Sequence, residues 1–236
     1  MTVTGVVTAQ PGRILGERTM AIQDGTGGIF VRLPDAVPLD DLPQARIVRV
    51  SGELAAPYGN LELRPGDESD VVALGSGGLP EPLALSSARV AEETEGLLVT
   101  MTGTIVDVER RDSGALSLVV RDDDGSAQVY LHAELGMSEI SFEPGQRIRT
   151  RGIVGQRASR SGAMDGHRIW PRGQADIEWL GAEDPEATPR PHQGCDPRLD
   201  ADHRRHGHLE GWLHRLGRPA GHGAGPQRRH PAQVPR

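Results

Sequence analysis

Residues Ala21 to Leu33 read AIQDGTGGIFVRL. An apolar run enters an Asp-Gly-Thr-Gly-Gly turn, and a run alternating apolar with polar residues leaves it. Gly and Asp tolerate the positive φ of tight turns, so the stretch reads as a β-hairpin. In its outgoing arm Ile29, Val31 and Leu33 share one face, while Phe30 and Arg32 share the other. The design returns at Val119 to Leu131, VVRDDDGSAQVYL. Without a gap, Asp24 falls on Asp122, Gly27 on Gly125, Val31 on Val129 and Leu33 on Leu131.

Working outward, strand signals lie at Val3 to Ala9, Met20 to Gln23, Arg46 to Leu54, Leu61 to Arg64 and Asp70 to Leu74. In the long run Val48 and Val50 point inward, Arg49 and Ser51 outward. Pro34 to Pro43 reads as a loop or short helix, and Ala55 to Asn60 as a turn containing Pro57, Tyr58 and Gly59. The second copy repeats the landmarks: Gly5 falls on Gly103, Gly52 on Gly152, Pro65 on Pro171 and Leu74 on Leu180. The offset between copies grows from 98 to 106, and the extra residues fall mostly within 156–166. A repeated unit of about five strands predicts an all-β chain of two tandem barrels. The expected divisions are barrel 1 at 1–75, a linker with a short helix at 76–96, barrel 2 at 97–181 and a disordered tail at 182–236. The linker reading rests on GSGGLPEP at 75–82 and on Ser86 or Ser87 capping ARVAEE.

Composition narrows the classes. Of 236 residues 3% are aromatic, with 31 Gly and 18 Pro, which suits short strands and many turns. No apolar run approaches the roughly 18 residues of a membrane span, and no basic-then-apolar leader is visible. The chain opens directly on a strand, from which a missing upstream portion is expected. All 26 basic residues are Arg, a sign of a GC-rich genome. One cysteine, Cys195, excludes an internal disulfide framework and a multi-Cys metal site. Net charge is −7, yet residues 192–236 carry eight Arg against four acids, leaving the remainder near −11. An acidic body opposes indiscriminate attraction to phosphates. The tail holds seven of the nine histidines and has no apolar period. Its Arg, His, Pro, Gly and Ala are what GC-rich DNA encodes out of frame, so a lost frame after Glu183 is expected.

The V-x-G-x-V first strand, the (I/V)-x-D-x-x-G hairpin and the later (V/I)-x-V-x-G strand resemble bacterial nucleic-acid-binding OB-fold domains. The likeness is to those accompanying extracellular nucleases and lamin-tail modules, and it covers residues 2 to 75 and 97 to 181. It implies that each unit is a five-stranded Greek-key barrel, the OB-fold, binding ligand across strands two and three. It also implies an extracellular or cell-surface setting within a larger exported protein. OB barrels serve protein and sugar ligands too, so a structural or protein-interaction module at the cell surface, or a carbohydrate-binding domain, stays open.

Candidate contact residues follow from aromatics that stack on bases and arginines that meet phosphates. Barrel 1 offers Phe30, Arg32, Arg49 and Tyr58. Barrel 2 offers Tyr130, Arg147, Arg149, Arg151, Arg157, Arg168 and Trp170, and Arg160 and Arg172 extend the same basic run against Asp165 alone. The bland alternative pairs this edge with the acids at 122–124 and 139–143. Asp122 to Asp124 lack the alternating ligands of a calcium loop, and GTGG at 25–28 precedes a strand rather than a helix, unlike a phosphate loop. His203, His206 and His208 have no scaffold to orient them on a metal. Asp24 and Asp122 read as turn residues bonding nearby backbone N–H groups. No nucleophile, base or carboxylate pair has motif context. The expectation is a non-enzymatic protein without cofactor or metal, binding single-stranded or exposed nucleic acid chiefly through barrel 2, with another protein or module of the same chain as a further partner.

Overall fold

The computed structural model describes residues 1–137, 142–157 and 166–181. Glu139, Arg160, Asp165 and the tail from 182 lie outside them, as do the expectations of tail disorder and a lost frame. The described residues form one all-β unit with no α-helix. No helix among them is long and apolar enough to cross a membrane.

The first barrel consists of β1 (Thr2–Ala9), β2 (Thr19–Gln23), β3 (Gly28–Arg32), β4 (Arg46–Ser51), β5 (Glu53–Ala55), β6 (Glu62–Arg64) and β7 (Val71–Ser76). β1, β2 and β3 form an antiparallel meander in which Ile22 pairs with Ile29 across the hairpin. β4 returns antiparallel to β1, β3 runs parallel to β6, and β6 pairs with β5, so the sheet closes. β7 adds to the outer edge of β4. The predicted run Arg46 to Leu54 is thus one strand bent at Gly52 so that its ends serve two partners. A Cβ on Gly52 would meet the Arg64 carbonyl, which is why the bend takes glycine.

β8 (Leu83–Ala84) and β9 (Leu98–Arg110) begin the second sheet, which continues with β10 (Leu116–Asp122), β11 (Gly125–Leu131), β12 (Arg147–Gly155), β13 (Arg168–Trp170) and β14 (Ile177–Gly181). The same pairings close it: β9–β10–β11 as a meander, β11 parallel to β13, β13 antiparallel to β12, and β12 antiparallel to β9. Gly152 meets the Trp170 carbonyl as Gly52 meets that of Arg64. These are two five-stranded OB-fold barrels. Instead of a helix, the linker makes 3-10 turns at Ser87–Arg89 and Glu92–Thr94.

Each barrel has its own core. The first is built on Met20, Ile22, Val31, Val48, Val50 and Leu63, the second on Ile105, Leu118, Val120, Val129, Ile148 and Ile169. Val31, Val48 and Val50 face inward as their alternation predicted. A third cluster joins the barrels: Ala9, Ile14, Ala21 and Phe30 pack against Leu98, Ile153 and Trp170. Polar links cross the same seam. The Arg172 guanidinium donates to the Thr8 carbonyl at 2.8 Å, the Leu98 N–H to Gln23 Oε1 at 2.8 Å and the Gln156 N–H to Asn60 Oδ1 at 3.0 Å.

Candidate nucleic-acid interface

The sequence offered eleven contact residues, and the structure sorts them into four places. Phe30 and Trp170 are 0% and 1% exposed, locked together in the seam. Phe30 does point out of its own barrel, but the second barrel covers it, so neither ring can stack on a base.

Arg149 and Arg151 alternate on the exposed face of β12, with Arg147 at its start. Their charges are met locally. Arg149 Nη1 donates to Glu178 Oε2 at 2.8 Å, and Arg151 donates to the Ala175 carbonyl at 2.6 Å with Asp176 3.8 Å away. The acids that meet Arg149 and Arg151 come from β14 and the turn before it. Arg172 is buried with Asp176, which takes its Nε and Nη2 at 2.7 Å each. Arg49 is exposed on β4, apart from the others, between Thr4 of β1 and Val72 of β7.

The remaining five, Arg32, Tyr58, Tyr130, Arg157 and Arg168, gather along the outside of the seam. The strained turn Pro57–Gly59 presents Tyr58, left-handed at φ +56° and 72% exposed. Arg157 follows β12, and its guanidinium lies 5.8 Å from the Tyr58 ring centre. Arg168 opens β13 and lies 5.7 Å from the Tyr130 ring, which meets His132 edge-on at 5.3 Å. Two guanidinium groups thus lie between rings across both barrels, in the order Tyr58, Arg157, Arg168, Tyr130, His132. Cation–π contact helps to hold each guanidinium without using its donors, and Arg168 Nε in addition donates to the Gly166 carbonyl at 3.2 Å.

Beside this row lies a cleft of about 620 Å³ lined by Arg32, Tyr58, Asn60, Arg64 and Arg157. A second hollow of about 420 Å³ is lined by Gln128, Arg157, His167 and Arg168. Arg32 is held by Thr19 Oγ1 at 3.2 Å, and Arg64 by Glu62 at 2.6 Å. Burial most, then the charge of Arg157, pulls the Arg168 guanidinium below its ordinary pKa, with Arg111 adding to the effect. Among the described residues neither Arg157 nor Arg168 has a carboxylate partner. Like charges held together without a counter-charge favour an anion between them.

Asn60, Arg64 and His132 were missed from the sequence. His132, one turn of alternation beyond Tyr130, was the legible one. Asn60 is 4% exposed and its Nδ2 has no partner among the described residues, an orphan that no periodicity could flag.

No protein-family model matches the sequence. The chain is 25% identical over 188 residues to Endonuclease YhcR of Bacillus subtilis (strain 168). The match covers 76% of this chain but 15% of that endonuclease, so the chain spans a small part of its relative. Among solved structures, a murine DNA-binding protein bound with double-stranded DNA is 15% identical at a TM-score of 0.41, covering 79% of this chain and 99% of that one. Asparaginyl-tRNA synthetase from Pyrococcus horikoshii is 18% identical at a TM-score of 0.33, covering 42% of this chain and 23% of the synthetase.

Proposed function

We propose that the barrel pair is a non-catalytic module that binds single-stranded or otherwise exposed nucleic acid along the outside of the seam. Barrel 2 supplies most of the contacts through Tyr130, Arg157 and Arg168, and barrel 1 contributes Tyr58 and Arg32. The observation that carries the reading is the pair of guanidinium groups set between the Tyr58 and Tyr130 rings, with no carboxylate on Arg157 or Arg168 among the described residues. Bases have π-faces that Tyr58 and Tyr130 can meet, and phosphates suit the arginines between them. Likeness to part of an endonuclease supports the same ligand class. The pairing of Arg149 with Glu178 and Arg151 with Asp176 favours the rival, a protein-interaction module, because it removes much of the basic run from display.

The test is fluorescence anisotropy of labelled single-stranded DNA and RNA titrated with the full chain at two salt concentrations. Binding should weaken with salt, with a log–log slope of about −0.7 per phosphate contacted. Arg157→Ala/Arg168→Ala should weaken it at least about tenfold, and Tyr58→Ala by roughly 5- to 100-fold. Arg149→Ala/Arg151→Ala should leave it nearly unchanged. Loss confined to the last variant would move the site to β12. No binding at low salt would reject nucleic acid in favour of a protein partner.

A further inference from the structure

Where the linker passes between the barrels, three metal-ligating side chains converge. Glu92 begins the 3-10 turn Glu92–Thr94, Glu95 follows that turn, and His167 immediately precedes β13. One carboxylate oxygen from each glutamate and one ring nitrogen of His167 lie within 4.8 Å of one another. His167 Nε2 is 3.5 Å from Glu92 Oε2. Two ligand atoms about 2.1 Å from a tetrahedral ion stand about 3.4 Å apart, so this edge already has coordination spacing.

Two further observations separate the cluster from an ordinary surface group. Glu95 Oε2 and His167 Nε2 are both shut off from solvent, and neither makes a hydrogen bond among the described residues. Buried polar atoms in native proteins are almost always satisfied, and two orphans within one cluster call for a partner. In addition, the Glu95 carboxylate is already oriented. Its Oε1 accepts the Leu61 N–H at 2.6 Å, which leaves Oε2 for the cluster. Such an outer hydrogen bond is the usual way a protein aims a ligating carboxylate. Burial raises the Glu95 pKa most; the Leu61 N–H opposes this and the charge of Glu92 adds to it. A cation held between the two carboxylates would reverse that repulsion.

We propose that Glu92, Glu95 and His167 form a binding site for a divalent transition-metal ion. An imidazole with two carboxylates suits zinc or manganese better than calcium or magnesium, which prefer all-oxygen shells. Three protein ligands leave at least one coordination position for water or a phosphate oxygen. Glu92 is exposed, so the site opens outward, and a hollow of about 120 Å³ lined by Gly28, Leu61, Glu92 and Glu95 adjoins it. Because Glu95 bonds barrel 1 through Leu61 while His167 belongs to barrel 2, the ion ties the linker to both barrels. The site stands independently of the nucleic-acid reading.

Seven further histidines lie between 192 and 230, so total metal uptake is not the readout. The full chain is stripped with chelator, and thermal unfolding is followed with and without zinc chloride. Substoichiometric manganese chloride is added to ¹⁵N-labelled protein in parallel. Zinc should raise the melting temperature by several degrees. Manganese should broaden the amide signals of Leu61, Gly96 and His167 before others. Glu95→Gln, which is isosteric and removes a buried charge, should melt no lower than the metal-free wild type yet lose both responses. His167→Ala should lose them too. Metal responses of equal size in Glu95→Gln, or broadening confined to tail signals, would overturn the site.

Discussion

Phe30 and Trp170, from different barrels, meet edge to face with ring centres 5.9 Å apart and planes at 85°. Two of the chain's seven aromatic residues are thus committed to joining the barrels. The edge of one ring against the face of the other adds quadrupole attraction to the area that both bury. Ile14, Leu98 and Ile153 complete the contact, so the seam is built like a protein core rather than a hinge.

Trp170→Ala should cost about 3–5 kcal/mol, because the site is walled by two barrels and cannot collapse. Phe30→Leu should cost less, since it keeps an apolar side chain in the gap. Urea denaturation of each variant checks this, with the midpoint falling at a similar slope.

Gly28 is the last glycine of the Asp-Gly-Thr-Gly-Gly turn at 24–28, and its role is not conformational. A Cβ there would run into the Gly96 carbonyl, where the linker crosses the hairpin backbone. Gly25 and Gly27 have open space in the same direction. Gly28→Ala should therefore destabilise by about 1–3 kcal/mol. Gly25→Ala should lie within about 0.5 kcal/mol of wild type. Thermal unfolding of the two variants side by side decides it.

Asp176 receives both Arg172 Nε and Nη2 at 2.7 Å, as well as the Arg172 N–H at 2.8 Å, while Arg172 Nη1 reaches Thr8 of the other barrel. Arg172→Met strands a buried carboxylate and should cost about 3–5 kcal/mol. Arg172→Lys should recover only part of this, since a point charge cannot reproduce the fork. Denaturant midpoints of the two variants test the ranking.

His132 Nε2 accepts the Leu15 N–H at 3.2 Å, so the inter-barrel bond requires that nitrogen to be unprotonated. Burial lowers its pKa most, with Glu134 opposing and Arg157 assisting. In the unfolded chain the ring titrates near 6.5, higher than in the folded protein. Between those values the unfolded state holds more protons. The contribution is thus full above about pH 6.5 and is lost as pH falls toward the folded value. The stability difference between wild type and His132→Ala should shrink from pH 7.5 to pH 5.5, measured by urea titration at each.

Matched turn residues show how far local signals reach. Asp24 takes the Thr26 N–H at 2.7 Å and the Thr26 hydroxyl at 2.6 Å, a wholly local cap that its place before Gly-Thr-Gly made legible. Asp122 occupies the equivalent position and takes the Asp124 N–H at 3.0 Å. It also takes the N–H and hydroxyl of Ser87 at 2.7 and 2.6 Å, anchoring a linker 35 residues away. Nothing in the DDDG tetrad distinguishes that second duty.

Alternation of period two and turn chemistry act over a few residues, so the hairpins, the inward faces at Val31 and Val48 and the matching of Gly52 with Gly152 were legible in the sequence alone. Contacts between segments distant in the chain obey no period. The packing of the barrels alone settled that Phe30, outward from its own barrel, is covered by Trp170. The folded structure likewise shows that Arg149 is spent on Glu178, and that Tyr58 and Arg157, 99 residues apart, share one surface. A side chain's parity on a strand fixes which way it points, while what it meets there depends on how the two barrels pack.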